Sequence, residues 1–398
     1  MDLNVLDVLA LAAVSLYLGK AVHRLFPITE KYSLPGAVLG GLLMAGALGI
    51  IEKTFSIEIN LNTSAQTPLM VAFFSSLGFG ASWLALKAGG KKVVSFFIVC
   101  VGLLLLQNMI GILTAVAMGQ SPLFGVITSS VSLVGGPGTA LAFAPLFAES
   151  GLADAGTIGV TAAMAGILIA GLVGGPASTW LIQRDKLNSD SKLQTSGFKS
   201  VCDQETKYSS SVLMAEITRQ GILLLVVMAL GAYVAQGLSQ IGLTFPIYIG
   251  SMIVAAVIRN VDDKYKFVKI NESFLDALAS WALSLFIAMS LMSLQWSKLT
   301  EVAGPILIAL IVQTLVVVGV SVTLIYKWYG KNYEAAVLSG GVIGFMMGTT
   351  ANAMANLESV TKKYGPAPFA YFVIPLIGAC FIDFANAAVI SIFVNILK

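Results

Sequence analysis

Ten apolar runs, most of them of membrane-spanning length, dominate this sequence. They lie near residues 3–19, 33–51, 68–86, 93–118, 156–182, 212–236, 245–258, 275–296, 302–326 and 368–397. The hydrocarbon core of a bilayer takes about 20 apolar residues per helix. Within lipid, a backbone must pair its own polar groups, which a helix does and an irregular segment cannot. Charged residues make up only 11% of the chain and hydrophobic ones 57%. A soluble domain needs about 25% charged residues to keep its surface wet. Strands of a membrane barrel would alternate in character, and these runs do not. The expected fold is an all-α polytopic membrane protein of ten transmembrane helices.

Two further stretches, 122–147 and 333–360, are apolar but interrupted by Gly, Ser, Thr and Asn. Lysine and arginine decide how they run. If the N-terminus is outside and neither stretch crosses, 20 of the 23 basic residues fall in cytoplasmic loops. Only Lys53, Lys298 and Lys398 are then outside. Cytoplasmic loops are enriched in Lys and Arg, and a full crossing by either stretch would destroy the bias. Both stretches are therefore expected to enter and leave on one face, as re-entrant hairpins. The expected location is an inner, cytoplasmic membrane with both termini outside. No basic leader precedes the first run, where Asp2 and Asp7 stand, so no cleaved signal is expected.

The polar segment 183–211 divides the chain into near-equal parts, 1–182 and 212–398. The parts repeat in order. Pro35 matches Pro246, VAFFSSLGF matches LSLFIAMSL, Gln107-Asn108 matches Gln313-Thr314, and Gly138-Thr139 matches Gly348-Thr349. Five spans per half is odd, so the second repeat is inverted, and a hairpin falls between the fourth and fifth helices of each. Inverted repeats with interrupted helices are a recurrent transporter architecture. The polar segment 183–211 is read as a cytoplasmic linker.

The hairpin tips carry the chemistry. Non-helical backbone leaves N–H and C=O groups unpaired, tolerable only inside protein or a watered cavity. The helix after each tip offers free N–H groups and partial positive charge to a carboxylate. The expected substrate contacts are Ser132, Gly135, Gly136, Gly138 and Thr139 in the first stretch, and Gly348, Thr349, Thr350, Asn352 and Asn356 in the second. Single glycines often serve only close helix packing; two matched tips favour a ligand site. Intramembrane carboxylates and amides are costly and commonly face an ion path. Asp383, Asn386, Gln107, Asn108, Gln313 and Thr314 are accordingly candidate Na⁺ ligands, the alternative for the uncharged ones being hydrogen bonds between helices.

Several classes are excluded. No nucleic-acid partner is expected, although the small net charge of +3 itself says nothing about one, and Cys100, Cys202 and Cys380 form no metal or redox motif. His23 is the one histidine, so a Ser-His-Asp triad lacks a part, and no catalytic residue or cofactor is expected. No arginine lies deep in a span. An acidic substrate would need a co-transported cation, and with no proton-relay residues Na⁺ is favoured over H⁺. A channel or facilitator remains the rival reading.

Five segments together resemble the bacterial sodium/glutamate symporter family: PLMVAFFSSLG, LLLLQNMIGI, SLVGGPGTALA, GKNYEAAVLSGG with GFMMGTTANAMANL, and VIPLIGACFIDFANA. The resemblance spans nearly the whole chain. It implies Na⁺-coupled uptake of L-glutamate, two five-helix domains with re-entrant loops, elevator-type movement and a homodimer. The first tip departs from the family pattern. Members carry Gly-Gly-His-Gly-Thr where this chain has Gly135, Gly136, Pro137, Gly138 and Thr139. Aspartate or another small carboxylate therefore stays open beside glutamate.

Overall fold

The computed structural model describes residues 1–31, 34–88, 90–188, 210–240, 247–293 and 299–397. Apart from one short parallel strand pair, β1 (Asp2–Leu3) with β2 (Asn60–Leu61), regular structure in the described chain is helical. Helix α1 (Val5–Leu25) starts at a capping box. The Asn4 side chain accepts the N–H groups of Leu6 and Asp7, and the Asp7 carboxylate accepts that of Asn4 at 3.0 Å. Such reciprocal bonds satisfy donors that have no partner within the helix. A short α2 (Pro27–Lys31) leads to α3 (Gly36–Phe55). Next come α4 (Gln66–Gly80), α5 (Trp83–Ala88) and α6 (Gly90–Ala117).

The first interrupted stretch consists of α7 (Pro122–Val126), a π turn over Ile127–Val131 and α8 (Gly136–Glu149). The 30-residue α9 (Ala155–Arg184) follows. The second half holds α10 (Ser210–Gln240), α11 (Ile247–Tyr265), α12 (Glu272–Met292), α13 (Leu299–Val320) and α14 (Tyr326–Trp328). Its interrupted stretch is α15 (Tyr333–Met347) and α16 (Thr350–Tyr364), and the described chain closes with α17 (Pro368–Leu376), a π turn over Ile377–Phe381 and α18 (Ile382–Leu397).

Among the described residues, seven helical segments are long and apolar enough to cross a bilayer: Val5–Leu25, Gly36–Phe55, Gly90–Ala117, Ala155–Arg184, Met214–Leu238, Glu272–Met292 and Ala303–Trp328. The other three expected spans fall on helices that do not meet that measure. The run 68–86 is split at Ala81–Ser82, and within the run 368–397 the apolar helix is the 16-residue Ile382–Leu397. The run 245–258 continues in α11 into Arg259, Asp262, Asp263 and Lys264. Pro246, the positions 189–209 of the linker, Lys298 and Lys398 lie outside the described residues.

Polarity is arranged inside out. Leu113 and Leu315 are 67% and 69% exposed, whereas Gln107 and Asn108 are fully buried. Lipid accepts the leucines at no cost and cannot satisfy the amides. Packing is crosswise between halves. α3 lies on α12 while α4 lies on α11, and α1 meets α12 while α10 meets α4. The helices that follow form a second group, in which α9 supports α8, α15 and α16, and α6 contacts α13 and α18.

Candidate functional site

The first stretch begins at Ser121, whose hydroxyl accepts the Leu123 N–H and caps α7. The helix then fails at Ser129, where φ is −106° and ψ −122°. The backbone turns before α8: Gly136 takes a φ of +67°, a left-handed value that costs glycine little. Pro137 sits in the first turn of α8, where a missing N–H removes no helical bond. In the second stretch, Gly348 ends α15 and Thr349 caps α16. The Thr349 hydroxyl donates to Asn352 Oδ1 at 2.8 Å. The two helices run antiparallel: a Cβ on Gly344 would meet the Ala353 backbone, and Asn356 Nδ2 donates to the Gly340 carbonyl at 3.3 Å.

Helix α9 carries both stretches end to end. A Cβ on Gly159 would lie 2.8 Å from Ala140 and 3.2 Å from Ile127, both in the first stretch. One on Gly166 would lie 2.5 Å from Leu133 Cδ2 and 2.6 Å from the Met347 carbonyl. Farther along, Ser178 donates to the Ala336 carbonyl at 2.8 Å in α15. The tips of the two stretches thus meet at one point, Gly166, near the middle of α9. From Gly159 to Ser178 the helix rises about 28 Å, close to the thickness of a hydrocarbon core.

Buried amides gather beside this point. Gln313 Nε2 donates to the Gln107 carbonyl at 2.8 Å and to Ser129 Oγ at 2.7 Å. Gln107 Nε2 donates to the Met346 carbonyl at 3.0 Å, and Asn386 Nδ2 to the Ser130 carbonyl at 2.9 Å. Asn108 pairs with Ser130, its Nδ2 lying 2.8 Å and its Oδ1 3.0 Å from the hydroxyl. A carbonyl can only accept, so each of these bonds fixes which end of its amide is nitrogen. The opposite ends, Gln107 Oε1, Gln313 Oε1 and Asn386 Oδ1, are buried without a hydrogen-bond partner. A buried acceptor left unmade costs about 1–3 kcal/mol. Two belong to amides bonded at the break, Gln313 to Ser129 and Asn386 to Ser130, and the third to Gln107, bonded to Met346 of the second stretch; such hard neutral oxygens suit a small hard cation.

The expected residues separate into two groups. Gln107, Asn108, Gln313 and Asn386 come together, while Thr314 does not: its hydroxyl donates at 2.6 Å to the Leu310 carbonyl in its own helix. Asp383 stands one turn before Asn386 on α18 and takes part in no hydrogen bond or ion pair that involves only described residues. Asn352 Nδ2 donates to Ile167 at 3.1 Å and Asn356 Nδ2 to Ala170 at 3.2 Å, both carbonyls of α9, and Thr350 donates to the Gly378 carbonyl at 2.8 Å. Those three side chains dock the second tip. Ser132 donates to the Ile127 carbonyl within the first stretch. Gly135, Gly136, Gly138 and Thr139 form the start of α8, where a Cβ on Gly138 would lie 2.7 Å from Leu283 of α12. Ser129 and Ser130 were not anticipated. The consecutive hydroxyls of Thr128, Ser129 and Ser130 were their sequence signal, since three neighbours cannot all face away from the tip.

The sequence model of the family described as sodium/glutamate symporter matches residues 1–366. The chain belongs to the sodium/glutamate symporter family. The sodium/glutamate symporter of Escherichia coli (strain K12) is 35% identical over 396 residues, covering 98% of this chain and 97% of that protein. That of Haemophilus influenzae is 31% identical over 395 residues, covering 98% of each. The sodium/glutamate symporter family is one of transporters and not of enzymes, and its matched region includes both tips, Gln107 and Gln313. Asp383 and Asn386 fall beyond the family match but within relatives aligned over nearly the full length.

Proposed function

We propose that this chain is a Na⁺-coupled symporter that carries L-glutamate, or a close acidic amino acid, into the cytoplasm. The reading rests above all on one observation: two interrupted helices reach the same point on α9, and three unpartnered amide oxygens lie beside it. Na⁺ is held by Gln107, Gln313 and Asn386, with Asp383 contributing charge. The substrate carboxylates bind the first turns of α8 and α16, where helix N-termini favour anions. Cation and anion then neutralise each other in a site without arginine, which couples their movement.

The architecture proposed is two inverted five-helix repeats, 1–182 and 212–398, joined by a cytoplasmic linker over 183–211. Ten helices cross the membrane, and each interrupted stretch is re-entrant. The crosswise packing of α3 on α12 and α4 on α11 supports this arrangement, because a two-fold axis exchanges those pairs. Both termini lie outside, in an inner membrane. The first three helices of each half form a scaffold, and the helices carrying the tips move against it as an elevator in a homodimer.

The test is uptake of labelled glutamate by proteoliposomes under an inward Na⁺ gradient, with competition by aspartate, other amino acids and dicarboxylates. Accumulation against a glutamate gradient, abolished when K⁺ replaces Na⁺, is expected. Flux that never runs uphill would replace the symporter with a facilitator. Competition by a different carboxylate alone would reassign the substrate.

A further inference from the structure

Away from the tips, two cavities of about 660 and 570 Å³ adjoin at the start of α6. Lys91, Ser95 and Trp328 line both. Lys92 joins the first and Lys87 the second, so three lysines stand at one mouth. Lys92 Nζ lies 6.0 Å from the Phe369 ring and Lys87 Nζ 5.6 Å from the Trp83 ring. Among the described residues none of the three forms an ion pair. The acid in the wall, Glu334, is engaged elsewhere: it accepts the Phe369 and Ala370 N–H groups at 3.2 and 3.0 Å, at the start of α17. The mouth therefore carries net positive charge, three ammonium groups against the one carboxylate of Glu334.

From the lysines the second cavity follows the outer flank of α6 past Val94, Ile98 and Val99. Ile98 is exposed, and Leu105, Met109 and Leu113 continue the exposed apolar stripe along the same helix. Trp328, exposed on the opposite lip, has the amphipathic character of side chains found at headgroup depth. A basic mouth opening into an apolar trough on a bilayer-facing helix has the chemistry of a lipid with an anionic head and a long chain.

We propose that this double cavity binds an anionic phospholipid. Lys91 and Lys92 hold the phosphate, Lys87 adds charge at the rim, and one acyl chain lies along Val94 and Ile98. The lysine distribution puts this mouth at the cytoplasmic leaflet. The occupant clamps the start of α6 to α14 and α17, and its binding is independent of which acid the protein carries.

Native mass spectrometry of the full chain in neutral detergent tests this, with phosphatidylglycerol, cardiolipin, phosphatidylcholine and inorganic phosphate as probes. The anionic lipids are expected to stay bound and phosphatidylcholine to be lost. Lys91→Gln and Lys92→Gln should each weaken retention about fivefold. Lys362→Gln, on a side chain paired with Glu358, should change nothing. Ile98→Asp should weaken lipid without affecting any shift caused by phosphate. Equal retention of phosphatidylcholine, or a phosphate effect that accounts for all binding, would overturn the proposal. So would lysine variants that shift the monomer–dimer ratio while lipid retention is unchanged, which would make this face a contact between copies.

Discussion

Gln313 of α13 donates its side-chain N–H to the backbone carbonyl of Gln107 in α6, 2.8 Å away. The bond ties α13 to α6 beside the broken turn at Ser129, which the same amide also reaches. Both keep an unpartnered oxygen. If those oxygens ligate Na⁺, Gln313→Ala and Asn386→Ala should each raise the half-saturating Na⁺ concentration roughly tenfold to a hundredfold, the worth of a bond to a charged group. The substrate KM at saturating Na⁺ should change much less. Thr314→Ala is the control and should leave Na⁺ dependence intact. The assay is the Na⁺ titration of glutamate uptake; a rise in substrate KM alone would remove these residues from the cation site.

In the proposed cation site, Asp383 supplies the negative charge that the amides lack. Asp383→Asn keeps size and shape and deletes that charge, so Na⁺-driven uptake should fall by roughly a hundredfold or more, as when one partner of a buried ion pair is lost. Protection of the purified protein against heat by Na⁺ should vanish with it, because a ligand stabilises only the state that binds it. Wild-type uptake in this variant would sink the assignment.

Gly166 is the point where both tips arrive. A methyl group there would press on Leu133 Cδ2 at 2.5 Å and on the Met347 carbonyl at 2.6 Å. Gly166→Ala should lower stability by about 1–3 kcal/mol, the usual cost of overpacking, and abolish uptake. Gly102→Ala, where a Cβ meets nothing within 4 Å, should be neutral or slightly stabilising. Thermal unfolding in detergent and uptake together check the pair.

Asp262 lies in the polar end of α11, beyond the apolar run. Burial pushes its carboxyl upward, but the N–H groups of Ile270, Val268 and Lys269 and the charge of Arg259 outweigh this and hold it below the ordinary carboxylate range. A carboxyl lowered in the folded state stabilises at all pH values above its unfolded pKa, near 4. That stabilisation is lost as pH falls through the lower native value. The difference in unfolding midpoint between wild type and Asp262→Asn should be flat from pH 7 to 5 and shrink below pH 4. Asp262→Asn should be less stable at pH 7 by about 1–3 kcal/mol and show a shallower acid limb.

The fold was legible where length and apolarity act alone. α1, α3, α6 and α9 coincide with the runs expected of them because lipid imposes one requirement on every span. The π turns over Ile127–Val131, Ser321–Ile325 and Ile377–Phe381 were not legible, since they are local changes of backbone register. The lone amides Gln107, Gln313 and Asn386 could be picked out because nothing else explains an amide in an apolar run. Thr314 was attractive as the repeat partner of Asn108, yet it bonds its own turn. Asn352 and Asn356 share a face, as their spacing requires, but which helix that face meets is a tertiary fact.

Helix α9 belongs to the first half by sequence, yet its middle turns anchor α16 through Asn352 and Asn356. The second tip therefore needs the first half, and the first tip in turn receives Gln313 at Ser129 and Asn386 at Ser130. A gene severed between codons 189 and 209 should encode two pieces that are inert apart and recover transport only when co-produced, each finishing the other's architecture.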